Sequence, residues 1–480
     1  MSDENNNDAQ TPAVIDAACR MPVLLLFGSA LAWLVLALVL GFLATMNFHM
    51  PALLADCPWF TYGHRVSAAH AAFMFGFGGN AALGITLWML SRLRGLSLRC
   101  PCMATLGGAL WNIGATAGLV GVMRGDGTGY EGIDIPVYSI RILILGGGLI
   151  AASAVLTYFA RRQQQLYVST WYLMAGLVVL PWVLVTVYLT LGVEPVRGVA
   201  QASVHLWALA SLNHIWLGAV GLATLFYFVP KILDAPLYSR QLAGFGFWSL
   251  LMLGGWLGLH AGAPMPVWMI KVGHFAGVMF LFPLFAVYWN IHRTIGGRSF
   301  TNSRDLTLSF LGFAYCSYLL AGVFTVLQPY INSVTYFTLF NTALRQLFQF
   351  GFFAMAVIGA IYFIVPRLVG ADWERRKWLK ASFNLGMAGV VLYVVPLLFG
   401  GWSQGQAMAD LAAGADYNNL PSTALMAIRI ATVGEVLLIA SALLAFINFN
   451  RLVLTNCCGC CNPLEIIKMM RAAREEGGTE

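Results

Sequence analysis

The sequence predicts an all-α polytopic membrane protein, a single bundle of twelve transmembrane helices. Three observations carry that expectation. Of its 480 residues, 59% are hydrophobic and only 10% charged, a balance foreign to soluble chains of this length. Apolar windows of about 20 residues or more, long enough to cross a bilayer, recur along the whole chain. The polar loops between them alternate in charge, with Lys and Arg gathered in every second one. The excess of 27 Lys and Arg over 20 Asp and Glu is therefore a matter of topology and does not point to nucleic acid.

Residues 1–21 are polar and carry no signal-peptide pattern, so they read as a short cytoplasmic tail. The membrane domain covers 22–450. Its windows fall at 22–46, 66–91, 102–123, 136–160, 170–192, 202–230, 241–261, 266–291, 307–328, 334–366, 378–400 and 422–449. The basic loops are SRLRGLSLR (91–99), RRQQQ (161–165), KILDAPLYSR (231–240), HRTIGGRSFTNSR (292–304), PRLVGADWERRKWLK (366–380) and the tail after Asn450. The intervening loops hold Arg65, Arg124 and Arg197 beside Asp126, Glu131, Asp134, Asp410 and Asp416. By the positive-inside rule both termini are cytoplasmic. The stretch 401–421 is the longest external connection and reads as a linker. Residues 451–480 form a Cys-rich, charged tail.

Chemistry in such a bundle rests on the few ionisable groups within the spans. His49, His64, His70, His205 and His260 fall near the external ends, His214 and His274 lie deeper, and His292 is cytoplasmic. No pair has the spacing that puts two ligands on one helix face. His205 and His214, in HLWALASLNHIWLG (205–218), are half a turn out of register at about 100° per residue, so they cannot share one metal. Any site draws its ligands from different helices. For each histidine alone, a hydrogen bond to a neighbouring helix is the plain alternative. Arg345, within the tenth span, needs a partner: a carboxylate, helix-end carbonyls or a heme propionate. Glu435 reads as the partner of Lys271 or Arg429, or as a proton relay. Cys100, Cys102 and the CCGCC run (457–461) lie on the reducing side, with spacing that fits no standard zinc or iron–sulfur pattern, and read as free thiols.

Four segments, YGHRVSAAHAAFMFGFGGNAALG (62–84), LFYFVPKILDAPLYSRQL (225–242), FWSLLMLGGWLGLH (247–260) and IGAIYFIVPRLVG (358–370), resemble the catalytic subunit of heme–copper oxidases, the cbb3-type cytochrome c oxidases in particular. The resemblance implies a twelve-helix bundle of the subunit I type in a bacterial inner membrane, working with other membrane subunits and c-type cytochromes. It also implies where cofactors belong. The second and tenth helices would hold a low-spin heme b, the tenth a high-spin heme, and the sixth and seventh a copper ion.

The matching positions are mostly altered. On the second helix the ligand column is Ala69, with His70 one residue on. On the sixth it is Ala210, with His214 one turn deeper. His260 matches the first histidine of the copper pair, and Ala261 replaces the second. On the tenth helix the columns hold Leu344 and Gln346, with Arg345 between them. Heme iron needs a side chain with a free lone pair, and Leu344 has none. The expectation is therefore a diverged relative that keeps one heme b through His70 and Arg345 and holds no copper, with its standing as an enzyme left open. A second reading is an active oxidase or nitric oxide reductase with a rearranged centre using His70, His214 and His260 as ligands. A third is a heme-free transport or sensor subunit.

Overall fold

The structure is a computed structural model. It describes residues 11–54, 56–160, 166–259, 262–297, 305–412 and 420–457. Among the described residues every regular element is helical. Eleven helices are long and apolar enough to cross a membrane. They are α1 (Pro12–Phe48), α2 (Tyr62–Arg94), α3 (Pro101–Arg124), α4 (Val137–Phe159), α5 (Val168–Val193), α6 (Val199–Leu233), α8 (Val267–Ile295), α9 (Leu306–Thr335), α10 (Leu339–Val369), α11 (Arg376–Ala409) and α12 (Ala424–Asn456). The stretch read as the seventh span is an α-helix, α7 (Arg240–Leu253), continued by a 3-10 turn over Gly254–Gly258. Its glycines end the α winding early, but the two pieces together still reach roughly 30 Å.

Burial separates the helices into a core and a ring. The most apolar windows of α2, α6 and α10 are 100%, 89% and 83% buried, against 33–56% for the others. A helix apolar on all sides belongs in the middle of a bundle, and these three carry the quoted family-like segments 62–84, 225–242 and 358–370. They run in the same direction, each ending in a basic loop. The surrounding helices show Trp248, Met252, Phe275 and Phe399 outward, as a lipid-facing ring does.

Polar atoms inside the bundle are paired across helices. The amides of Asn80 in α2 and Asn112 in α3 bond each other at 2.8 and 3.1 Å, and the Trp33 indole of α1 donates to Asn112 at 2.9 Å. With no water at that depth, such bonds fix the helices against one another. The connection read as a linker over 401–421 is helical through Ala412 and again from Leu420. Its first part docks on α10, where the side-chain carbonyl of Gln404 caps the amide of Leu339 at 3.0 Å. Gly401 permits that approach: a Cβ there would stand 2.1 Å from the Phe340 nitrogen.

Candidate functional site

Each central helix changes winding part-way along. Residues Ala72–Gly78 in α2, Ser211–Leu217 in α6 and Leu347–Ala354 in α10 are π-helical. Such stretches cluster at functional sites because they re-aim side chains. From each π turn to the basic end, the helices pack solidly. Before it, two cavities open on either side of α10.

The larger, about 370 Å³, lies among α1, α2, α10, α11 and α12 and is called here the α2 cavity. His70 lines it, as does Ala69. From α10 it receives Gln346 and Gln349, and from α12 Glu435. The second, about 250 Å³, lies among α6, α8, α9 and α10 and is called the α6 cavity. His214 and Ala210 line it from α6, His274 from α8, and Leu344 and Phe348 from α10. The wall between them is polar: the Gln349 amide donates to the Asn213 side-chain oxygen at 3.0 Å, tying α10 to α6. Neighbouring positions on α10 thus face different cavities, Leu344 one and Gln346 the other, while Arg345 borders both.

The loop between α3 and α4 folds down onto this place. Tyr130 accepts a hydrogen bond from Gln201, and the ring of His205 lies 3.0 Å from the Glu131 carbonyl and 5.4 Å from the Tyr130 ring. Gly132 makes the tight turn, with φ +77° and Leu209 where a Cβ would go. Glu131 is thereby delivered to Arg345, and the two form a short ion pair. Arg345 holds the Glu131 carboxyl below the usual carboxylate range, against the opposing effect of burial. This ion pair supplies the carboxylate partner that the arginine required, and the partner had been visible in the sequence only as one acid among several in the outer loops.

Several polar atoms at the cavities have no protein partner. Among residues lining the α6 cavity these are His214 Nδ1, His274 Nε2 and Asn332 Oδ1, with Arg345 Nε beside them; in the α2 cavity they are Gln346 Oε1 and Glu435 Oε2. Glu435 differs from its expected role. Its Oε1 accepts from the Thr45 hydroxyl at 2.9 Å, and it forms no ion pair with Lys271 or Arg429 among the described residues. His260 and the CCGCC run from Cys458 onward lie outside the described residues. Cys100 and Cys102 are exposed and free. Among the described residues no three His, Cys, Asp or Glu side chains converge on one point.

The donors decide which groups fit. The α2 cavity offers one imidazole, His70, on one wall and the Gln346 and Gln349 amides on the other, which suits a heme held by a single strong ligand. The α6 cavity meets α10 at Asn341, Leu344, Arg345 and Phe348; the Asn341 side-chain oxygen is taken by Gln328, and Leu344, at the family's ligand position, has no lone pair, so a high-spin heme held through that position does not fit there.

A buried helical triad flanked by two cavities inside a bundle of membrane-length helices defines a class, the polytopic membrane proteins with enclosed space among their helices. The chain belongs to the cytochrome c and quinol oxidase polypeptide I family, whose model matches residues 21–454. It is 26% identical over 396 residues to the cbb3-type cytochrome c oxidase subunit CcoN1 of Stutzerimonas stutzeri, covering 78% of this chain and 81% of that one. It is 24% identical over 405 residues to a cytochrome c oxidase subunit 1 homolog of Azorhizobium caulinodans, covering 78% and 71%. Among solved structures, a heme-copper terminal oxidase dimer superposes with a TM-score of 0.65 at 15% identity, over 90% of this chain and 84% of that one. That last likeness establishes the fold.

Proposed function

We propose that the protein is a diverged subunit I that lacks a complete heme–copper oxygen-reducing centre and keeps one b-type heme in the α2 cavity. The observation that carries this reading is the α10 wall, where Leu344 and Gln346, at the two positions that match the family's ligand columns, each line a different cavity. Heme b in that cavity would carry one electron at a time. His70 would hold it through its imidazole, and Gln346 would offer a weaker amide-oxygen donor from α10. The Glu131–Arg345 pair places two compensating charges at the outer end of the cavity, so the part-buried arginine has a carboxylate partner. The Gln349–Asn213 bond closes the wall toward the α6 cavity. Copper has no part in this reading, because His214 and His274 alone are fewer donors than its sites use.

In this reading the protein sits in the bacterial inner membrane with both termini cytoplasmic, in line with the alternation of basic and acidic loops. It works beside other membrane subunits and c-type cytochromes in an electron-transfer chain. A reduced-minus-oxidised visible spectrum of the purified protein tests it. Bands of b type that vanish in His70→Ala are expected, and a featureless spectrum sinks the proposal.

One observation favours a rearranged, active centre instead: His214 and His274 both line the α6 cavity, and each has a buried ring nitrogen without a partner. Under that reading, with His260 as a further ligand, the protein consumes oxygen or nitric oxide with a reduced donor, and His214→Ala abolishes the consumption. Consumption that survives this change removes it.

A further inference from the structure

The sequence leaves Glu435 two roles, ion-pair partner or proton relay, and the structure removes the first: among the described residues no cation pairs with it. It is nevertheless buried, at 4% exposure, on the part of α12 that walls the α2 cavity. A carboxylate in that position is costly unless something answers its charge.

The groups around it are otherwise engaged. Arg345, on the α10 wall, is taken by Glu131. Arg65 of α2 gives its guanidinium hydrogens to the Leu43 carbonyl and the Asn47 side chain. Arg429, on α12 itself, is exposed. From the end of α1, His49 turns its Nε2 to the Thr432 hydroxyl at 3.0 Å. Two phenols, Tyr62 of α2 and Tyr393 of α11, line the cavity along with His70. Asp134 borders it from the loop, accepting from the Gly129 amide at 2.7 Å. The wall therefore sets three carboxylates against one arginine.

Glu435 is held so that it can carry a charge or shed it without moving. Its Oε1 lies 2.9 Å from the Thr45 hydroxyl, and that hydroxyl lies 3.1 Å from the Gly41 carbonyl one turn back. A hydroxyl has one proton to give and lone pairs to receive another. With Glu435 ionised, Thr45 gives its proton to Oε1. With Glu435 protonated, the acid donates to Thr45, which turns its own proton to Gly41. Both arrangements use the same heavy atoms at the same distances. A cation would have fixed one state, whereas this hydroxyl serves either, and Oε2 has no hydrogen-bond partner to bias the choice. Tyr62 lies within electrostatic reach of Glu435 and is itself exposed, at the end of α2 away from the basic loops. A route for the proton to the outer face is thus short.

We propose that Glu435 takes up one proton as an electron enters the α2 cavity and gives it back as the electron leaves. The inference rests on the one-heme reading above. The electron comes from the reduced donor and settles on the heme iron, and the proton comes from water at the outer face. The O–H bond of Glu435 is all that forms or breaks. The net charge of the cavity is then the same in both states, which surroundings of low dielectric favour.

The test follows the b-type bands of the purified, heme-loaded full chain as the applied potential is stepped, at a series of pH values. Where Glu435 changes state, each rise of one pH unit is expected to disfavour reduction about tenfold, or ~59 mV for a one-electron couple. Glu435→Gln keeps the shape and cannot ionise, so it should bind the heme and show a potential flat in pH. A slope that persists in Glu435→Gln overturns the inference. Should that variant lose its heme, infrared difference spectra of the parental chain decide. Reduction should bring up the carbonyl band of a protonated carboxylic acid, shifted in deuterium oxide, and its absence is equally fatal. A featureless visible spectrum removes the one-heme reading itself, whereas b-type bands with a parental potential flat in pH remove this inference alone.

Discussion

The two halves of the central helices tell different stories. Toward the basic face, α2 from Met74 to Leu90, α6 from Ile215 to Pro230 and α10 from Gly351 to Val365 are buried at every residue. Toward the opposite face the same helices are hollowed by two cavities, with polar atoms left unpartnered on their walls. The family-like segments 225–242 and 358–370, and the latter half of 62–84, belong to the packed half or its rim. The substituted ligand positions Ala69, Ala210, Leu344 and Gln346 all belong to the hollow half. The contrast teaches that a bundle of this kind stores its fold and its chemistry in separable parts. The packed half can hold the helices in place while the hollow half loses or exchanges ligands.

That contrast can be broken most forcefully in the packed half. Trp88→Ala removes a fully buried indole that stacks near Phe228 and bonds Asp16, and should cost about 3–5 kcal/mol. The expected readout is a strongly lowered unfolding midpoint in detergent, and a shift no larger than that of a surface change would dissolve the distinction between halves. In the hollow half the sign should reverse. Asn332→Leu replaces a buried amide whose oxygen has no protein partner, and should be neutral or stabilising by about 1 kcal/mol. A loss of stability there would mean that the amide is engaged after all.

Weaker still is the ion pair that borders both cavities. Glu131→Gln and Arg345→Gln should each destabilise, with a coupling of about 1 kcal/mol or less in a double-mutant cycle. Because the folded carboxyl sits below its unfolded value, the stability it contributes is full above the ordinary carboxylate range. That contribution is lost as pH falls through the lowered folded value, and Glu131→Gln should lack this acid limb. An unchanged acid limb would show that the pair is absent in solution. Smallest is His70→Ala, expected to shift the midpoint of the heme-free protein by about 0.6 kcal/mol or less, since the ring borders open space. A core-sized loss would place His70 in the packed half's company.

Sequence patterns reached the spans, because these follow from local composition, and the family resemblance marked the two α10 positions; the central place of α2, α6 and α10 was not read from the sequence. Leu344 and Gln346 do face separate cavities, as a helix with about 100° per residue requires of positions two apart. Patterns also reached the demand of Arg345 for a partner. They did not reach Glu131 itself, 214 residues away, since nothing local announces which loop folds down onto a span. Nor did they reach the Gln349–Asn213 bond, His274 beside His214, or the bonding of Glu435 to Thr45, all contacts between helices distant in sequence. The short seventh helix was hidden for a different reason, as an apolar window measures length and not where glycines unwind it.

The π turns have a mechanical consequence. Each inserts the equivalent of one extra residue between the hollow and packed halves, so it acts as a slip joint in an otherwise rigid rod. Deleting a single residue from 72–78 would restore α winding there and leave the segment that carries His70 at nearly its present bearing relative to Arg92, because the wide turn already absorbs the extra residue. A one-residue change in length at these joints can thus be taken up without re-aiming the side chains on either side.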